Sequence, residues 1–193
     1  MPMGLHIDRE FFHQVTLNLL YASVVLLTFV ILERLFYYAV MQVRMRGVIA
    51  AVDRDTPMPD KADVLTRSIR EYRDAQERGA SRSRTEDLSA DLFIRVDGYL
   101  NARLWMLDTI VTAAPLLGLL GTILGIMDTF NALSAGGVSD PGAVSRGIGD
   151  ALAATAIGIG TALYGLIGHN LLHRQAEHMT EAFKGVLLRA TSV

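Results

Sequence analysis

The sequence predicts an all-α integral membrane protein with three transmembrane helices, and composition and patterning support this. Hydrophobic residues make up 51% of the 193 residues, and the mean hydropathy is +0.31. Charged residues still make up 20% of the chain, but most of them lie outside three long apolar runs. Each run is long enough to supply the ~20 residues that a helix needs to cross a ~30 Å hydrocarbon layer. We expect the spans at residues 15–40, 107–133 and 148–172.

Basic residues predict the orientation of these spans. Twelve Lys or Arg lie between Met41 and Leu104, none between Ser134 and Ala143, and only Arg9 in the first sixteen residues. The positive-inside rule therefore predicts a multi-pass membrane protein whose long loop and C-terminus are cytoplasmic. Residues 1–14 and 134–147 are then outside, and residues 41–106 and 173–193 are in the cytoplasm. The first span is a poor signal peptide, because acids flank Arg9 and no cleavage motif follows.

Helix signals in the cytoplasmic segment predict a helical bundle. Asp60 is a candidate N-cap for a helix that carries Ala62, Leu65, Ile69 and Tyr72 on one face and that ends at Gly79. A solvated spacer fits this region at least as well as a specific binding site.

A second cytoplasmic helix is predicted to continue into the membrane. Ser83 and Glu86 have the spacing of a capping box, and an apolar stripe follows. No helix breaker separates this stripe from the second span, so we expect one helix from about Thr85 to Leu133. Asp140 and Pro141 predict the start of another long helix that continues past the third span to about residue 188. Two of the three membrane helices would therefore extend into the cytoplasmic bundle.

Small residues in the second and third spans predict close helix packing. The candidates for this packing are Pro115, Gly118, Gly121, Gly125 and Gly158. Gly121 and Gly125 form a GxxxG pair, which lets helix backbones approach each other in lipid. Packing within one subunit explains some of these glycines, and oligomerisation explains their abundance on both helices.

Three polar residues in these spans are candidates for a proton pathway. Asp150 is costly in lipid, so it should face a partner or a hydrated cavity unless it is a wet interfacial acid. Thr122 and Thr155 lie one in each apolar helix. Each hydroxyl could bond back to its own helix, or the two could face each other, hold water and pass protons. Asp108 and Asp128 lie nearer the span ends and are interpreted as interfacial.

Other chemistries have little support in the sequence. The chain has no cysteine and a net charge of −2, which gives no thiolate chemistry and no electrostatic basis for binding nucleic acid. The five histidines show no metal-ligand pattern, and no nucleophile–base pair or phosphate loop is evident. We therefore expect no metal, no cofactor and no enzymatic activity.

Residues 104–174 resemble the ExbB/TolQ/MotA proton-channel family, most closely its three-span ExbB/TolQ branch. APLLGLLGTILGIMDTF resembles the family signature of span two, and IGDALAATAIGIGTAL with Asn170 resembles that of span three. Glu33 and Arg34 at the end of span one also fit. Two departures are Asp150, where the family usually has glutamate, and Leu163-Tyr164-Gly165, where it usually has an isoleucine–proline kink.

The resemblance implies a homopentamer in the lipid of the bacterial inner membrane, with its N-terminus and short loop periplasmic. The pentamer would enclose the helices of an ExbD-like, single-span partner dimer. Thr122 and Thr155 would then line the pore, with Asp150 near the proton path. Proton motive force would energise a TonB-like transducer for biopolymer transport across the outer membrane. A TolQ-like role in envelope maintenance is the alternative, and a MotA-type flagellar stator fits less well because that branch has four spans. An alternative from a different functional class is a purely structural membrane scaffold without an ion pathway.

Overall fold

A computed structural model of the chain describes residues 9–53, 63–136 and 141–190, and these ranges are all-α. Three helices contain segments long and apolar enough to cross a membrane: Gln14–Ala51, Leu104–Asn131 and Pro141–Arg189. The all-α class with three candidate membrane helices is therefore confirmed. The helices in chain order are α1 (Arg9–Asp53), α2 (Val64–Glu77), α3 (Arg82–Asn101), α4 (Leu104–Gly136) and α5 (Pro141–Ala190).

The first of two compact units holds the candidate site. Its described residues are the part of α1 up to Ile31, and the stretch from Trp105 to His169, which belongs to α4 and α5. Its core mixes leucines with small residues, because helices in lipid gain most from close backbone approach. Buried residues of this core include Leu20, Leu27, Leu107, Ala114, Ala151 and Ala154.

The second compact unit contains the rest of α1 from Leu32, together with α2, α3 and the end of α5 from Asn170. Its core is more like that of a soluble helical bundle, with larger side chains at helical spacing. Three of the four predicted stripe residues of α3 are confirmed as buried, since Leu92, Val96 and Leu100 are each no more than 1% exposed, whereas Leu88 is half-buried. Other fully buried side chains here are Val48, Ile69, Leu172 and Phe183.

The caps of α2 and α3 differ in part from expectation. Asp63 is the N-cap of α2 and accepts a 2.8 Å hydrogen bond from the backbone N–H of Thr66. The expected cap Asp60 and the stripe residue Ala62 lie outside the described residues. The end of α2 at Gly79 is confirmed, because α2 ends at Glu77 and Gly79 has φ +70°.

The capping box predicted at Ser83 is wrong. Ser81 is the N-cap of α3, and its hydroxyl accepts from the backbone N–H of Arg84 at 3.4 Å. Glu86 instead pairs with Arg82 at 3.0 Å, one turn before it on the exposed helix surface. Ser81 is the first serine after the turn at Gly79 and takes the cap position. Ser83 therefore already lies inside the helix.

The single helix predicted from Thr85 to Leu133 is also wrong, because it breaks after Asn101. Arg103 adopts a left-handed conformation with φ +69°, and α4 starts at Leu104. The free carbonyl of Leu100 at the end of α3 accepts a 2.7 Å hydrogen bond from the Tyr38 hydroxyl. The Arg103 guanidinium pairs with Glu33 at 2.7 Å. Contacts with α1 therefore stabilise a break for which the local sequence carries no Gly or Pro signal.

The expected start of the third long helix is confirmed at Pro141, its first residue. The expected N-cap Asp140 lies outside the described residues. The helix runs without interruption to Ala190, close to the predicted end near residue 188. The sequence Leu163-Tyr164-Gly165 lies within this helix and does not end it.

Candidate functional site

The site lies where α4 and α5 cross at two glycines. A Cβ atom on Gly118 would lie 2.9 Å from the carbonyl oxygen of Ala154 and 3.1 Å from Cα of Thr155. A Cβ on Gly158 would lie 2.6 Å from the carbonyl oxygen of Ala114. The two distances to carbonyl oxygens are too short for any side chain at these positions, so the two helix backbones are in direct contact here.

The same contact surface continues one turn further along α4. A Cβ on Gly121 would meet the Ala154 methyl at 3.0 Å and the Thr16 methyl of α1 at 3.6 Å. Gly125 is buried on this face, and its carbonyl accepts a 2.8 Å hydrogen bond from Thr129. Pro115 lies inside α4 on the flank of the contact surface and is half-buried. Gly118, Gly121 and Gly158 therefore lie in the packed contact, Gly125 is buried on the same face of α4, and Pro115 lies beside it.

Because the backbones are so close, the structure brings the Thr122 and Thr155 hydroxyls together. They are in direct hydrogen-bonding contact with each other. The Thr122 hydroxyl also lies 2.8 Å from the carbonyl oxygen of Ala151 on the opposite helix and 3.2 Å from that of Gly118. The Thr155 hydroxyl lies 3.2 Å from the same Gly118 carbonyl oxygen. Both side chains are half-buried.

The pair is chemically suited to a proton relay. A hydroxyl has one proton to donate and two lone pairs to accept with, and here two hydroxyls share two carbonyl acceptors. Each hydroxyl proton can therefore point at a carbonyl oxygen, at the other hydroxyl or at a water molecule. In every case a hydroxyl donor stays close to the carbonyls of Gly118 and Ala151. Rotation of a hydroxyl is the only motion that such a rearrangement needs.

Asp150 is not part of this cluster. It lies five residues before Thr155 on α5, which is about 140° around the helix and about 7.5 Å along it. Its side chain is exposed, and no hydrogen bond or ion pair joins it to the described residues. The structure therefore separates the acid from the two threonines with which the sequence grouped it.

Two further threonines pack in the same unit and were missed by sequence reasoning. Thr16 of α1 is buried against Gly121, and Thr129 of α4 would contact any side chain added at Gly147. Their only signal in the sequence is their place in apolar helices, which does not distinguish them from other membrane threonines. Both lie on the surfaces where helices meet.

Comparison with known proteins assigns the chain that carries this site to a family. The model of the MotA/TolQ/ExbB proton channel family matches residues 59–184. The biopolymer transport protein ExbB of Helicobacter pylori is 39% identical over 85 residues, which cover 44% of this chain and 59% of that protein. A putative ExbB-like protein of Synechocystis is 38% identical over 42% of this chain and 33% of its own length.

A TolQ protein is also among the relatives. The Tol-Pal system protein TolQ of Pseudomonas aeruginosa is 36% identical over 83 residues, 43% of this chain and 36% of that protein. The matched stretch thus spans from about one third to three fifths of the length of these relatives. The family model covers well over half of the chain, including both helices that carry the threonine pair. The chain therefore belongs to the MotA/TolQ/ExbB proton channel family.

Proposed function

We propose that this chain is an ExbB-like subunit of a proton-driven motor in the bacterial inner membrane. With an ExbD-like partner, it uses the proton motive force to energise TonB-dependent uptake across the outer membrane. The observation that carries the proposal is the Thr122–Thr155 hydroxyl pair at a backbone-to-backbone helix crossing. Family membership and relatives named ExbB support it.

The proposed role of the threonine pair is to hold and pass protons within the membrane. Thr122 lies inside the apolar segment Leu104–Asn131, nearer its C-terminal end, and residues 109–127 around it contain no charged side chain. Protons cross such a region along water and hydroxyl groups, because an isolated charge in hydrocarbon is costly. The carbonyls of Gly118 and Ala151 orient the two hydroxyls and stabilise a proton that passes between them.

The proposed membrane orientation follows from the loop charges. Twelve Lys or Arg between Met41 and Leu104 favour a cytoplasmic location for this region. The N-terminus and the connection between α4 and α5 are then periplasmic, and the C-terminus is cytoplasmic. In this orientation Asp150 lies on the periplasmic side of the threonine pair, where an exposed acid is suited to admit protons or to contact the partner.

The proposed assembly is a homopentamer around a dimer of single-span partner chains. The described part of the first unit leaves large apolar side chains exposed along α4, among them Leu116 and Phe130 at 67% and 55% exposure. The half-buried threonine pair lies beside this surface, on the flank of α4 that turns toward α5. Neighbouring copies and lipid would cover the apolar surface, and the partner helices would face the pair.

A TolQ-like role in the Tol-Pal envelope system is the second candidate. The relative named TolQ matches with an identity close to that of the ExbB relatives, 36% against 39%. Both roles use the same proton chemistry in the membrane, so the threonine pair does not discriminate between them. The partner proteins do.

Native mass spectrometry of the complex tests the proposal. The chain would be purified by a tag from its own host in detergent, with an untagged strain as the control for non-specific proteins. Five copies with two copies of a small single-span protein are expected, and the sequence of that protein separates the ExbD-like from the TolR-like system. A monomer or dimer without such a protein would favour a non-conducting membrane scaffold.

A further inference from the structure

The N-terminal part of α4 carries a second group of polar residues, which is separate from the Thr122–Thr155 pair. Asp108, Thr109 and Thr112 are all exposed. The Thr109 hydroxyl donates to the Trp105 carbonyl at 2.9 Å, and the Thr112 hydroxyl lies 3.0 Å from the carbonyls of Asp108 and Thr109. The threonines thus satisfy themselves on their own helix, but the Asp108 carboxylate has no hydrogen bond or ion pair with the described residues.

Asp108 lies on the same flank of α4 as Thr122. The two are 14 residues apart, which puts them within about 40° of each other around the helix and about 21 Å apart along it. The row between them contains Thr112, Pro115 and Leu119 at spacings of three or four residues. Because Pro115 and Leu119 have no polar side chain, water has to connect Thr112 with Thr122.

Asp108 is also the first charged side chain that a proton meets on leaving the threonine pair toward the start of α4. Residues 109–127 of α4 contain no charged side chain, and neither do residues 14–32 of α1 or 151–168 of α5. A Cβ on Gly165 would lie 2.8 Å from the Val111 side chain, so the residues of α5 level with Asp108 lie just beyond Gly165. The first titratable residue of α5 beyond Gly165 is His169, which is half-buried in the same unit.

The exposed Trp105 marks the membrane boundary close to Asp108. It is 68% exposed and lies one turn before Asp108. Tryptophan concentrates at the level of the lipid headgroups, so Asp108 lies at the edge of the hydrocarbon layer. A carboxylate at this depth reaches water far more cheaply than one at mid-membrane.

We propose that Asp108 is the carboxylate at the cytoplasmic end of the proton path. This inference rests on the proposed function and on its membrane orientation. The carboxylate accepts a proton from water that has passed the threonine pair, and then releases that proton to cytoplasmic water. One proton enters and one leaves in each cycle, so the group is unchanged. The sequence reading of Asp108 as merely interfacial gives it no such role.

Proton flux into liposomes tests this role. The complete complex with its co-purified partner would be reconstituted into liposomes. A potassium diffusion potential would drive protons into them, and a pH dye trapped inside would measure the flux. Asp108→Asn should lower the flux about tenfold or more, as expected when a positioned proton-transfer group is removed. Asp108→Glu should retain most of it. Asp128→Asn is the matched control, because Asp128 is about 160° away around the same helix and near its other end.

Full flux in Asp108→Asn would overturn the proposal, and so would an equal loss in Asp128→Asn. Single-cysteine chemistry then separates a proton role from a structural one, because the chain has no cysteine of its own. In Asp108→Cys, iodoacetate applied from the cytoplasmic side restores a carboxylate, whereas iodoacetamide adds a neutral group of nearly the same size. Unmodified complex treated with both reagents controls for cysteines of the partner.

Recovery of flux with iodoacetate and not with iodoacetamide supports the role of Asp108. No alkylation from the cytoplasmic side, or equal flux with both reagents, contradicts it. Failure of both Asp108→Asn and Asp108→Cys to assemble would make Asp108 a structural residue and would also overturn the proposal. If the unmodified complex passes no protons at all, the proposed function fails instead, which is a distinguishable result.

Discussion

The hydroxyls of Thr122 on α4 and Thr155 on α5 share the backbone carbonyl of Gly118, each at 3.2 Å. This sharing requires the two helix backbones to touch, which they do only because positions 118 and 158 have no side chains. The chemistry of the site therefore depends on packing as much as on the two threonines. Glycine at the crossing and hydroxyl at the next turn form one structural unit.

Gly118→Ala is expected to destabilise the helix crossing by about 1–3 kcal/mol, because the new methyl would lie 2.9 Å from the Ala154 carbonyl oxygen. Thermal unfolding of the subunit in detergent, followed by circular dichroism, measures the effect. Gly160→Ala is the control on α5, since apart from its own stretch of helix none of the described residues lies within 4 Å of a Cβ at that position. An unchanged midpoint for Gly118→Ala would mean that the helices are not in contact there.

Arg103→Gly should be more stable than Arg103→Ala by about 1–2 kcal/mol, because φ is +69° and only glycine adopts that conformation without steric cost. Both variants remove the ion pair with Glu33, so the comparison isolates the backbone. The difference in thermal midpoint between the two variants is the measurement. Equal midpoints would indicate that α3 and α4 form one continuous helix at this position.

Tyr38→Phe is expected to cost about 1–3 kcal/mol, because it removes the 2.7 Å hydrogen bond to the Leu100 carbonyl and leaves that buried acceptor without its donor. Limited proteolysis at the 101–104 break provides a local readout in addition to the thermal midpoint. Tyr21→Phe is the matched control on the same helix, where the side chain is 56% exposed. Equal effects of the two substitutions would contradict the capping role of Tyr38.

Asp150→Asn should lower proton flux through the reconstituted complex, whereas Asp150→Glu should retain most of it. The physical reason is that an exposed carboxylate, which the proposed orientation places on the periplasmic side, can collect protons, and the amide cannot titrate. Native mass spectrometry of both variants checks that assembly is intact. If Asp150→Asn conducts normally, Asp150 is an acid that is simply in contact with water or lipid headgroups.

Much of the fold could be predicted from the sequence, because membrane helices are determined by local composition. Hydropathy and the rules for helix caps were enough to predict the three apolar runs and the start of α5 at Pro141. The sequence offered a pairing of Thr122 with Thr155 only as one of two alternatives, and the resemblance to the family implied that both line the pore. Nothing in one sequence specifies which turn of α4 faces which turn of α5.

The failures occurred where long-range contacts override local preference. The break at Arg103 depends on Glu33 and Tyr38, which lie more than sixty residues earlier in the chain. Local signals around residue 102 favour a continuous helix, so the tertiary contacts decide. Asp150 lies apart from Thr155 for a simpler reason, since side chains five residues apart on a helix point in different directions. Its role in the proton pathway stays a prediction.

Proton flux through the reconstituted complex with Thr155→Val tests the central claim most directly. Valine removes the hydroxyl at almost constant volume, so the helix crossing should survive while flux falls about tenfold or more. Thr161→Val is the matched control, because that buried hydroxyl only bonds to the Ile157 carbonyl of its own helix at 2.7 Å. Loss of flux in Thr155→Val with normal flux in Thr161→Val is the predicted result. Unchanged flux in an assembled Thr155→Val complex would contradict the proton path through the threonine pair.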